Sequence, residues 1–212
     1  LIDIENNIKI YLNKLNINNN PKIVAVSKTF KIDKILPIID HGHIDFGENK
    51  VQEAVDKWTD IKKINLKIKL HMIGKLQTNK VKHAVKIFDY IHSVDSKKLA
   101  KKIADEQNKI NKKMKIFLQI NIGDENQKSG IKKNNVRELA SYCKEIGLDL
   151  IGLMCIPPVN TDPEFFFEEM NKLNKSLNFT ELSMGMSSDF LKAAKHFSTY
   201  VRIGSSIFGE RS

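Results

Sequence analysis

Apolar positions along this 212-residue chain fall into short β-branched runs separated by longer amphipathic stretches. Ile4, Ile8, Tyr11, Leu12 and Leu15 recur at helical spacing before the Asn18-Asn19-Asn20-Pro21 breaker, which predicts a helix ahead of the core fold. Strands are then expected at Lys22–Ser27, Ile44–Gly47, Ile68–Ile73, Tyr90–Val94, Lys115–Ile122, Asp149–Cys155, Thr180–Ser183 and Tyr200–Ile203. Helical patterns lie between them: Ile32 to Asp40, a stretch beginning at Glu48 and Asn49 and running through Trp58, one through Val81 and Val85, one N-capped by Asp95-Ser96, one through Val136 to Cys143, Pro163 to about Leu177, and one through Phe190 to Ala194.

Eight strands alternating with helices imply parallel βα units, and eight such units close as a (β/α)8 TIM barrel. The expected architecture is therefore a single α/β domain over residues 1–212, a barrel with an extra N-terminal helix. The competing fold, an open doubly wound sheet, would carry a glycine-rich turn after its first strand. Ser27-Lys28-Thr29-Phe30 stands there instead.

Composition narrows the class. No apolar run is long enough for a membrane span, the first residues lack a signal-peptide pattern, and two cysteines, Cys143 and Cys155, form no CxxC. A reducing cytoplasm is the expected compartment. The formal net charge of +10 invites a nucleic-acid reading. It is discounted, because the charge is almost all lysine, spread along every segment, with arginine only at 137, 202 and 211.

Chemistry is expected at the C-terminal ends of the strands, with an anion site in the loops after strands seven and eight. Ser183-Met184-Gly185-Met186-Ser187 and Arg202-Ile203-Gly204-Ser205 end those strands, each with a glycine and hydroxyls. Ser187, Ser188 or Asp189 should begin a helix, whose unpaired N–H groups favour an anion. Two ordinary serine-capped turns would read the same way. Lys28 ends strand one, beside strand eight in a closed barrel. A lysine at the mouth of an apolar strand either snorkels to solvent or, desolvated, supplies an amine for Schiff-base chemistry. An amine beside an anion site selects a phosphorylated aldehyde, for which pyridoxal phosphate (PLP) is suited, and Arg202 could face the pyridine nitrogen.

KIVAVSKTF, FGENKVQEA, HMIGKLQTNK, SVDS, KSG, GLMCIPP, LSMGMSSDF and VRIGSSIFG, in this order, resemble the motifs of the YggS/PROSC family of PLP-binding proteins, also called PLP homeostasis proteins. The resemblance implies a barrel similar to the N-terminal domain of alanine racemase, with PLP held as a Schiff base on Lys28. It also implies Ser183, Gly185, Gly204 and Ser205 at the phosphate, Arg202 at the ring nitrogen, and Asn49 and Met154 elsewhere in the pocket. Ser205 stands where threonine is usual, and Leu70 where an aromatic residue often precedes the histidine.

The implied role is a non-enzymatic carrier that regulates PLP, with PLP-dependent apoenzymes as recipients, as a monomer or weak dimer, without specific nucleic-acid or membrane partners. Two features favour it over a weak amino-acid racemase. The chain ends after strand eight, without the second domain that supplies a catalytic tyrosine in alanine racemases, and a cation at the ring nitrogen weakens the electron sink. A Schiff-base aldolase and a nucleic-acid binder are further alternatives.

Other candidates read as structural. His41-Gly42-His43 is expected to be a turn rather than a metal site, and His71 and His92 hydrogen-bonded core histidines. Cys155 should be a buried inert thiol, and Glu48, Glu53 and Asp189 capping or solvated carboxylates. The Gly123–Gly130 loop is long enough for a lid or an ordinary surface loop.

Overall fold

The computed structural model describes residues 1–125 and 127–209; Asn126 of the long loop and Arg211 lie outside this range. Eight parallel strands close in sequence order into a barrel: β1 Lys22–Val26, β2 Asp45–Glu48, β3 Lys69–Met72, β4 Tyr90–Val94, β5 Lys115–Ile120, β6 Asp149–Cys155, β7 Glu181–Ser183 and β8 Tyr200–Ile203. The helices among the described residues are α1 Ile2–Lys14, α2 Ile32–Asp40, α3 Val51–Ile64, α4 Val81–Ile87, α5 Lys97–Lys109, α6 Val136–Glu145, α7 Pro163–Ser176, α8 Phe190–Lys195 and α9 Ser205–Phe208. None is long and apolar enough to cross a membrane.

Period-two strands and 3.6-period helices give two apolar shells. Outward strand residues such as Phe46, Leu70, Ile91, Ile116, Leu118 and Leu153 meet the inner faces of the helices. Val24, Tyr90, Phe117, Met154 and Tyr200 fill the barrel itself. The N-terminal helix α1 buries Ile4, Ile8 and Leu12 against Ile23, Ala194, Val201 and Ile203, each side chain worth about 2 kcal/mol at most.

Most strand boundaries fall within one residue of the sequence pattern, and two boundaries differ by more. Strand β2 continues through Glu48, which pairs with Met72, so α3 starts only at Val51. Strand β5 stops at Ile120 because the following loop folds back on it. Asn121 N–H donates to Ile131 O and Ile131 N–H to Gln119 O, which replaces further strand pairing. Closure is set by β1 against β8, with Val24 opposite Arg202 and Ala25 opposite Ile203. That register carries the chain beyond β1, with Lys28, to the same rim as Gly204 and Ser205.

Candidate functional site

At this rim a cavity of about 740 Å³ opens, within the range of small-molecule sites. Lys28, Asn49, Arg202, Gly204 and Ser205 line it, together with Ser187 and Ser188 from the turn before α8.

The Lys28 turn is held on both sides. Phe30 N–H donates to Ser27 O at 3.2 Å, and Thr29 sits at φ 68°, a conformation costly for a β-branched residue. The Thr29 N–H donates to Glu53 Oε1 at 2.5 Å. Ser27 Oγ donates to Glu48 Oε1 at 2.8 Å, and Lys57 Nζ donates to Ser27 O at 2.8 Å and to both carboxylates at 3.0 Å. Trp58 Nε1 completes the cluster on Glu48 at 2.9 Å. Glu48 is thus a fully buried anchor rather than a solvated or capping carboxylate. Its β2 position points it at the helix that follows, where Lys57 and Trp58 return to meet it. On the far side of the turn, Phe30 packs on Phe208 with ring centroids 5.0 Å apart, joining the loops after β1 and β8.

The opposite wall is built from the ends of β7 and β8. Asp189 Oδ1 accepts from Met186 N–H at 2.6 Å and closes the turn that presents Ser187 and Ser188. Gly204 N–H donates to Ser187 Oγ at 3.3 Å, so the two loops touch. A Cβ on Gly204 would lie 3.3 Å from Val26 Cβ, a close approach between β1 and the start of α9. Together the turn, the first N–H groups of α9 and the nearby Lys28, Lys75 and Lys128 make an electropositive, hydroxyl-rich wall.

Three expected pocket residues are placed differently from the rest. Ser183 is fully buried, and its Oγ accepts from Arg202 Nη1 at 2.7 Å and lies 2.9 Å from His92 Nδ1. Gly185 adopts φ 91° and lets α8 close on the turn, since a Cβ there would sit 2.5 Å from Ala193 Cβ. Met154 is buried inside the barrel below the cavity. None of the three is among the cavity-lining residues. Arg202 does line the cavity although 4% exposed, held by Ser183 and by Cys155 O, which accepts from Nη2 at 2.9 Å. Burial pushes the Cys155 thiol up to about 12, partly offset by Arg202. His71 and His92 are buried and hydrogen-bonded to each other at 2.9 Å.

Gln119 and Asn121 also line the cavity, and sequence reasoning passed over them. Their signal was the polar alternation at the end of the apolar β5 run. In the long loop, Gln127, Lys128 and Ser129 reach the cavity, and Lys128 Nζ donates to Pro157 O at 3.0 Å. Asn49 also lines this space, and its Oδ1 is buried with no hydrogen-bond partner among the described residues.

A closed parallel barrel with an amine and a hydroxyl-glycine wall at one rim defines a class before it defines a member. The chain belongs to the alanine racemase N-terminal domain family, whose model matches residues 1–212. Among curated relatives, the pyridoxal phosphate homeostasis protein of Pasteurella multocida is 38% identical over 201 residues, 90% of this chain and 86% of that protein. The structure of PipY from Synechococcus elongatus with PLP bound superposes with a TM-score of 0.82 at 30% identity, covering 95% of this chain and 100% of that one. Alanine racemase of Clostridium difficile shares the fold alone, with a TM-score of 0.70 at 15% identity over 97% of this chain and 57% of that one.

Proposed function

We propose that this chain binds pyridoxal 5'-phosphate in the cavity at the C-terminal rim and acts in cytoplasmic PLP (vitamin B6) homeostasis as a non-enzymatic carrier. The carrying observation is convergence: Lys28 and the Ser187 and Gly204–Ser205 corners line one cavity. The relatives named as PLP homeostasis proteins and the PLP-bound PipY structure support the same reading.

The residues present suit the cofactor. Asn49 offers a buried acceptor without a partner among the described residues, and a bound ligand would satisfy it. Ser187, Ser188, Ser205 and the first N–H groups of α9 supply donors for a dianionic phosphate. Arg202 would hold the ring nitrogen of the bound cofactor, where a permanent cation would keep the ring unprotonated. When bound, the cofactor supplies an aldehyde that condenses reversibly with an amine, and Lys28 provides that amine. Lys28 is the attachment point for a Schiff base. Ser183 braces Arg202 from behind, Gly185 shapes the turn, and Met154 packs the barrel interior. Reversibility of the linkage would allow release to PLP-dependent apoenzymes.

The test is the visible absorption spectrum of the purified protein with PLP. Wild type is expected to show a Schiff-base band that Lys28→Ala lacks; Arg202→Ala should keep the band but shift it or bind more weakly. An unchanged band in Lys28→Ala would remove Lys28 from its role, since Lys75 and Lys128 also reach the cavity.

A further inference from the structure

Five side chains cross the barrel interior in a continuous line. Asp45 Oδ1 lies 2.9 Å from His71 Nε2, His71 Nδ1 lies 2.9 Å from His92 Nε2, and His92 Nδ1 lies 2.9 Å from Ser183 Oγ. Arg202 Nη1 closes the line on Ser183 at 2.7 Å. The residues come from β2, β3, β4, β7 and β8 in turn. One end, Arg202, lines the rim cavity. The other end, Asp45, lines a separate cavity of about 590 Å³ alongside α1, with Glu5, Lys22 and His43. Stacking of His71 on Tyr90 and of His92 on Phe117, with centroids 4.1 and 4.3 Å apart, holds both ring planes.

The hydrogens in this line can be counted. A guanidinium only donates, and an ionised carboxylate only accepts. A hydroxyl and each neutral imidazole bring one hydrogen apiece. Four links therefore share four hydrogens, and all are filled in a single order. Arg202 donates to Ser183, Ser183 to His92 Nδ1, His92 Nε2–H to His71 Nδ1, and His71 Nε2–H to Asp45. Burial independently favours neutral rings, lowering the affinity of His71 for a proton despite the nearby Asp45 and that of His92 still further.

We propose that this line is a positioning chain through which Asp45 sets the orientation of Arg202 at the far mouth of the barrel. The proposal rests on the reading that Arg202 faces the ring of bound PLP. With Asp45 ionised, the Ser183 hydrogen is committed to His92, and the Ser183 oxygen is left to receive Arg202. With Asp45 neutralised, the order can reverse. His92 then donates from Nδ1 to Ser183, whose oxygen now accepts from both His92 and Arg202, so its two lone pairs are shared between the two donors and its hydroxyl hydrogen must turn to another acceptor. Asp45 and His71 thereby act on the cofactor pocket without touching it.

Other ionisable groups also face the line. Lys22 and His43 flank Asp45, and Asp89 lies near His71. Tyr90 and Tyr200 lie along it, with Glu181 near Tyr200, and Cys155 and Asp189 near Arg202. The Asp45 carboxylate keeps its charge against burial because His71 donates to it and His43 and Lys22 are close.

The test is two-bond proton–nitrogen NMR of the full chain labelled at histidine nitrogen, without cofactor, between about pH 6 and pH 8. The expected result is His71 and His92 both neutral with hydrogen on Nε2 throughout. In Asp45→Asn the rings are expected to populate the Nδ1–H form. On adding PLP to that variant, the absorption maximum should move and affinity fall about tenfold, the scale of one charge-assisted hydrogen bond. Asp45→Glu should restore both signatures. An Nδ1–H ring in wild type overturns the proposal, and this result is decisive even if the variant does not fold. Unaltered tautomers and absorption in a folded Asp45→Asn overturn it equally. No Lys28-dependent band in wild type with PLP overturns the cofactor reading, and with it the role given to Arg202, whatever the tautomers show.

Discussion

Glu48→Gln isolates the charge of the carboxylate that anchors the Lys28 turn. Its Oε1 accepts from Ser27 Oγ at 2.8 Å, Trp58 Nε1 at 2.9 Å and Lys57 Nζ at 3.0 Å, and the side chain is fully buried. A hydrogen bond to a charged group is worth about 1 kcal/mol more than a neutral one, so neutralising the acceptor removes about 3 kcal/mol across the three. Two structural details keep the loss near the lower end of the range for breaking a buried pair. Lys57 retains Glu53 at 3.0 Å and Ser27 O at 2.8 Å, so its cation is not stranded. Glu48 Oε2 has no partner among the described residues, so the amide group replaces one unsatisfied atom with another. For a chain of this length the expected fall in Tm is about 6–12 °C. Urea unfolding followed by Trp58 fluorescence is the assay, because Trp58 is the one tryptophan and its indole N–H reports on Glu48 directly. A loss under about 0.5 kcal/mol with unchanged m would refute the reasoning. Because Ser27 precedes Lys28, PLP affinity should also weaken, though less than in Lys28→Ala.

Two further outcomes follow from local geometry and buried titration. Gly152→Ala places a Cβ 1.9 Å from Glu181 O on the neighbouring strand and should prevent soluble folding. Gly147→Ala meets nothing within 4 Å and should cost only about 1 kcal/mol for its φ of 75°, so comparable solubility of the two variants would refute the close-approach argument. His43, His71 and His92 all have proton affinities lowered chiefly by burial, so the unfolded chain binds more protons below the ordinary value of 6.5. Their contribution to stability is complete above that pH and is lost as pH falls towards the folded values, by up to about 1.4 kcal/mol per ring per pH unit. Lowered carboxylates, Asp45 and Glu53 among them, add losses only below their ordinary 3.8 and 4.5. Urea midpoints that stay flat from pH 7.5 to pH 5 would refute this assignment.

The barrel was legible because inside and outside are written as periodicity. Ile23–Val26 is an uninterrupted apolar run, and the strands alternate with helices in a repeating order. Lys28 was legible for the same reason, as a lysine at the end of a buried run. Glu48 was misread because a carboxylate after Gly47 resembles a helix start, and nothing local shows that Trp58 and Lys57 come back to it. Gln119 and Asn121 were passed over because two polar residues ending an apolar strand are ambiguous until the barrel closes.

What the chain order alone determined is the set of strands, their parallel sense, and the rim at which chemistry collects, since these depend on residue spacing and on connections that join neighbours. What only the folded molecule decided is which hydroxyl faces the cavity and which is consumed inside. Ser183 and Ser187 look alike in a serine-rich segment, yet Ser183 lies under Arg202 and against His92 while Ser187 stands at the opening. That difference comes from the register of β7 against β6 and β8, a long-range relation that no short stretch of sequence contains. The alignment of Asp45, His71, His92, Ser183 and Arg202 has the same origin, because five strands must close before their side chains can meet.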